Sequence, residues 1–176
     1  MLDLKTGRFV IDAEKGWELH PFMSRQEFFY SALFKSKYPH KGDREKRTFN
    51  FGKVFIDGYE MFMLVTFGGL HDCVERVTLV SVKMTITDIN NMPSNWKEIA
   101  YEVKRTHDEF LQKQMEVSFA DAGSDKDHSF MLPWGDVRSD FSLRYDIPSA
   151  EVVISYRNRT EEDDAMLEKL GDKFLW

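Results

Sequence analysis

Pro133-Trp134-Gly135-Asp136-Val137-Arg138-Ser139-Asp140-Phe141-Ser142-Leu143-Arg144-Tyr145, followed by Ala150 to Arg157, decides the fold class. Its period is two. Val137, Phe141, Leu143 and Tyr145 fall on one side of an extended chain, and Asp136, Arg138, Asp140, Ser142 and Arg144 on the other. Alternate side chains of a strand point to opposite faces, so the segment reads as a strand with one buried face and one charged, wet face. Val152 to Tyr156 supplies the partner strand of a hairpin that turns at Asp146-Ile147-Pro148-Ser149. Trp134-Gly135 at the strand entry reads as a ring filling the end of a core beside a glycine that permits a bend.

Working back along the chain, Thr48 to Ile56 and Tyr59 to Phe67 flank Asp57-Gly58, a strong short hairpin signal because a tight turn of that kind needs positive φ. Tyr59 to Phe67 is apolar on both faces and belongs inside a sheet; Val74 to Met84 continues the meander. Short strands are expected at Gly7 to Asp12 and Trp17 to Phe22. Ser24-Arg25-Gln26-Glu27 is a capping-box pattern ahead of a helix that buries Phe28, Leu33 and Phe34. Asn95-Trp96-Lys97-Glu98 offers a second. Trp96, Ile99, Ala100, Val103, His107, Phe110 and Leu111 then recur at helical spacing to about Gln114. Ser118 to Ser129 reads as a mobile acidic loop, and Glu161 to Phe174 as an acidic C-terminal helix. The expected fold is α+β: one domain spanning residues 1–176, with an antiparallel sheet of about five to seven strands and two or three helices packed mainly on one face.

Of the 176 residues, 42% are hydrophobic and 14% aromatic, a globular composition with fifteen Phe and four Trp to fill a core. No apolar run approaches the roughly 20 residues that cross a bilayer, and no basic-then-apolar leader opens the chain, so the expected location is the cytoplasm, away from membranes. The lone Cys73 agrees with a reducing compartment. Net charge is -6, which disfavours direct nucleic-acid binding. Lys35 to Arg47 carries six basic and two acidic residues, a local +4 that leaves -10 on the rest. That acidic remainder is either an ordinary solvated surface or a steering field for a basic partner.

Two His-Asp pairs, His71-Asp72 and His107-Asp108, have the residue types with which some phosphohydrolases hold divalent ions. His107, however, lies on the apolar stripe of its helix, where a hydrogen-bonded core histidine is the commoner role. Cys73 near His71 lacks any sign of an oxyanion hole and reads as structural. Met61, Met63, Met84, Met115 and Met131 sit among apolar neighbours and read as core filler. No residue is assigned a catalytic or metal-binding role, and no cofactor is expected.

The order of features nevertheless has a counterpart. It begins with a Ser-capped Glu-Phe-Phe helix (Ser24 to Phe29) and a strand ending Val65-Thr66-Phe67-Gly68-Gly69-Leu70. The Trp96 helix follows, closing in His107-Asp108-Glu109-Phe110-Leu111, and then Pro133 to Phe141 with Val152-Val153-Ile154-Ser155-Tyr156. From Leu4 to Tyr156 the chain resembles a group of small bacterial proteins that look like immunity proteins of polymorphic or contact-dependent toxin systems. The family's final hairpin often has an Asp-Pro-Arg-like turn, which Tyr145-Asp146-Ile147-Pro148 only approximates, and the acidic C-terminal helix has no counterpart in it. The resemblance implies a non-enzymatic protein that occludes a cognate toxin domain, in many cases a basic nuclease. On that reading Asp121, Asp125 and Asp127 of the acidic loop, and Asp136, Arg138, Asp140 and Arg144 of the hairpin's wet face, are the candidate partner contacts. Cross-strand pairing within the protein is the competing role for the last four. The alternatives are a metal-dependent phosphohydrolase built on the two His-Asp pairs and a structural or adaptor protein that dimerises through a sheet edge.

Overall fold

The computed structural model describes residues 1–37, 46–68, 72–82, 94–142, 149–157 and 160–162. Among these residues the frame is a six-stranded antiparallel sheet with a two-stranded sheet and three helices, an α+β architecture. The small sheet pairs β1 (Phe9–Asp12) with β2 (Trp17–Leu19). The large sheet starts with the meander of β3 (Thr48–Ile56), β4 (Tyr59–Gly68) and β5 (Cys73–Ser81). The chain then passes through α3 (Trp96–Met115) to the far edge. It lays down β6 (His128–Leu132), β7 (Gly135–Ser142) and β8 (Ser149–Tyr156) inward, so that β8 closes on β5. The order is β3-β4-β5-β8-β7-β6.

Local chemistry accounts for the turns. Asp57 and Gly58 both hold positive φ, 52° and 97°, as the tight β3–β4 turn requires. Gly135 is fixed by contact: a Cβ there would sit 1.9 Å from the Ser155 carbonyl oxygen, so only glycine lets β7 approach β8 at its entry. Trp134 is buried, and its indole N–H donates to the Leu4 carbonyl at 3.0 Å, tying the N-terminal segment to the hairpin.

The helix expected after Ser24 is two helices, α1 (Arg25–Tyr30) and α2 (Ala32–Lys37). Ser24 accepts from the Glu27 amide as the capping pattern predicts. Ser31 makes the break: its backbone is extended, its hydroxyl donates to the Phe28 carbonyl, and its oxygen accepts from the Phe34 amide. Phe28, Leu33 and Phe34 are buried, with Phe28 at the centre of a ring cluster that touches Phe34, Phe49, Phe51 and Phe67 at centroid distances of 4.9 to 5.7 Å. At the other end of the sheet α3 packs against β8, β7 and β5. Asn95 does not cap it: no side-chain hydrogen bond forms, because its backbone (φ -98°, ψ 24°) is not in the extended conformation that aims a capping oxygen. The helix ends at Glu116, which adopts the left-handed conformation.

No helix among the described residues is long and apolar enough to cross a membrane. The basic-loop core at 38–45, His71, the expected turn at 146–149 up to Pro148, Leu143 to Tyr145 and the acidic helix beyond Glu162 lie outside the described residues.

Candidate functional site

Loop 116–127 and the β6–β7 hairpin gather most of the residues that the sequence singles out. The loop is not loosely held. Lys104 and Asp108, one turn apart on α3, are both fully buried, with Nζ 2.5 Å from Asp108 Oδ1. The Lys104 ammonium also donates to the Ser139 carbonyl at 3.2 Å and hydroxyl at 3.0 Å, so its three donors have three oxygen acceptors. Asp108 Oδ2 accepts from the Gly123 amide at 2.8 Å. Between Asp108 and Asp121 stands His128, with Nδ1 3.1 Å from one carboxylate and Nε2 3.1 Å from the other. Phe119 stacks flat on that imidazole, centroids 4.0 Å apart. A buried charge pair persists only when its remaining donors and acceptors are satisfied, and these are. The acidic loop expected to be mobile is therefore anchored at Phe119, Asp121 and Gly123. Its last residue, Asp127, accepts from the Phe141 amide of β7 at 2.7 Å.

The seven candidate contacts divide accordingly. Asp121 serves the interior: Lys126 at 2.7 Å and His128 hold its carboxyl at about 2, well below the usual range. Asp127 is a strand-edge acceptor. Asp136 and Asp140 are clamped from both sides by Arg138, at 3.0 and 2.7 Å, an intrastrand arrangement in which all three are only partly exposed. The wet face is therefore drier and closer to neutral than its alternation suggests. Across from Asp140 lies Glu151, whose carboxyl is pushed up by its own half-burial and by the Asp140 charge. Of the three loop aspartates Asp125 alone is exposed without a hydrogen-bond partner among the described residues. Arg144 lies outside them.

The His-Asp pairs do not form one site. His107 is buried in α3 and its Nε2 accepts from the Ser81 amide at 2.8 Å, which places the ring proton on Nδ1. Burial, reinforced by the Lys104 charge, pulls this imidazole down to about 4. Asp108 belongs to Lys104, and Asp72 is held by Arg25 through two contacts at 2.5 and 2.7 Å. An ion at these groups would have to displace two cations. Among the described residues no three His, Cys, Asp or Glu side chains come together in a group able to hold a metal. Cys73 is buried at the start of β5.

Three members of the buried cluster, Lys104, His128 and Ser139, carry no motif. Their signal is positional. Lys104 lies between Val103 and His107 on the apolar stripe and one helical turn before Asp108, while Ser139 falls in the inward phase between Val137 and Phe141. The hairpin register puts His128 directly across from Ser139. Met131, read as core filler, is instead 83% exposed, because β6 presents Ser129 and Met131 to solvent.

No family model, no curated protein and no solved structure matches this chain.

Proposed function

We propose that the chain is a non-enzymatic binding protein that neutralises a cognate toxin domain by covering a basic surface on it. The observation that carries this reading is the exposed Asp125 carboxylate, held on a loop fixed through Asp121, Gly123 and Asp127. A loop anchored before binding loses little conformational freedom on docking, so its charge contributes to association and not to ordering. The chain's net charge of -6 adds long-range attraction for a cationic partner. The resemblance to toxin immunity proteins supplies the partner class. On this reading Asp125 is the leading contact, and the Asp136–Arg138–Asp140 clamp with Glu151 forms the flanking polar surface.

The test is calorimetric titration of the chain into the toxic domain encoded beside it. The expected result is a tight complex of one domain per chain. Asp125→Lys should weaken it about tenfold, mainly through slower association that salt abolishes, with unfolding unchanged. Absence of a complex at micromolar concentrations overturns the proposal.

A further inference from the structure

The two outer strands of the large sheet are finished differently. At the β3 edge a register shift falls between Asn50 and Gly52, Lys37 Nζ donates to the Lys53 carbonyl at 3.0 Å, and Arg25 donates to the Lys46 carbonyl at 2.5 Å. A bulge and edge-capping cations are the usual means of stopping a strand from recruiting another. Among the described residues the β6 edge has neither. Its register with β7 runs unshifted from His128↔Ser139 to Leu132↔Gly135 around the two-residue turn Pro133-Trp134. That turn makes Leu132, Phe130 and His128 the residues bonded to β7, so the amides and carbonyls of Ser129 and Met131 point outward along the sheet plane. The core is also open here: Phe119, Phe130 and Leu132 are only partly buried against it, and Met131 is the most exposed large apolar side chain among the described residues.

We propose that two copies of this chain associate by antiparallel pairing of β6 with β6 about a two-fold axis at Phe130. The edge is self-complementary in that register. Ser129 lies opposite Met131 of the other copy, and each such pair exchanges two N–H···O bonds, which uses every outward group of the strand. Phe130 meets its own counterpart as a cross-strand aromatic pair, which closes the gap in the core. Charge agrees as well. The same register sets the exposed Asp127 opposite Pro133 of the other copy, whose carbonyl accepts from the Arg157 guanidinium at 3.1 Å, so an acidic strand start faces a basic strand end. The dimer requires no toxin and stands apart from the reading above.

The experiment is light scattering behind size exclusion on the full chain without any partner, over the widest accessible concentration range. The expected mass is twice that of one chain. Met131→Pro removes an amide that the monomer's own ladder does not use, so the variant should keep its unfolding midpoint and run as one chain. Met131→Lys, which leaves the strand's backbone intact, should raise the dissociation constant at least tenfold. Arg157→Glu should weaken the dimer in the same direction by removing the attraction to Asp127. A wild-type chain that stays monomeric throughout, or variants at Met131 that both stay dimeric, would overturn the proposal.

Discussion

Under α1 and α2 the sheet is closed by rings: Phe28 touches Phe34, Phe49, Phe51 and Phe67, and no charge is needed to complete the contact. Under α3 the same sheet is closed by apolar residues such as Val103, Phe110 and Phe141 together with Lys104, Asp108, His107 and Ser139, the last four fully buried. The aromatic end gains stability in small additive increments from apolar area and edge-to-face contacts. The polar end depends on its two charges being paired, because one unpaired charge there carries a desolvation cost of several kcal/mol; the neutral His107 is held through Nε2 alone, its Nδ1 having no partner among the described residues. The aromatic end holds the strands together. The polar end fixes one loop in one place, and that is the property a binding surface needs.

Removing one member from each end should cost about as much for different reasons. Asp108→Ala strands the Lys104 ammonium and should destabilise by about 3–5 kcal/mol in urea unfolding. The double replacement Lys104→Met with Asp108→Leu should recover most of that loss. Phe28→Ala should also cost about 3–5 kcal/mol, through cavity formation, and no charge neutralisation should rescue it. Rescue at both ends, or at neither, would erase the distinction.

Acid sharpens it next. His107 stays neutral in the fold down to about 4, whereas an unfolded chain takes up that proton near 6.5. Between those values the unfolded chain holds more protons, so stability is full above 6.5 and is lost as pH falls through about 4. The full difference is roughly 3 kcal/mol. His107→Gln keeps an acceptor for the Ser81 amide and should flatten this part of the pH–stability curve. Phe28→Ala should leave the slope of the curve unchanged. An equal slope in His107→Gln and wild type would place the acid sensitivity elsewhere. The smallest effect belongs to Asp125→Lys, which should move stability by no more than about 0.5 kcal/mol in either direction, since the carboxylate has no hydrogen bond to lose.

The aromatic end was legible because it follows patterns. Phe28 sits four residues after a Ser cap, and Phe49, Met63 and Val65 alternate with polar or half-exposed neighbours around an Asp-Gly turn. The meander, the β7–β8 hairpin and most of α3 could be read in this way. The polar end was not legible, because a hydropathy pattern assigns Lys104 and Asp108 to solvent. Only the tertiary fold, with β6 across from β7 and α3 packed against β7 and β8, brings His128 and Ser139 to them. Met131 misled for the converse reason: an apolar residue among apolar neighbours, on a strand whose edge position the sequence does not encode. Asp136 and Asp140 are legible with Arg138 as their competing internal partner, and the pairing lies within one strand; for Asp121 and Asp127 the pattern shows the acids but not their partners Lys126 and the Phe141 amide.

The most direct test of the account is the heat of mixing between this chain and the cognate toxin domain proposed above, measured for wild type and Asp125→Lys under identical salt. Nanomolar binding with loss of that domain's toxicity, weakened about tenfold by the charge reversal, is the predicted result. No heat at micromolar concentrations, or binding that the reversal leaves untouched, would contradict the role assigned to the anchored loop.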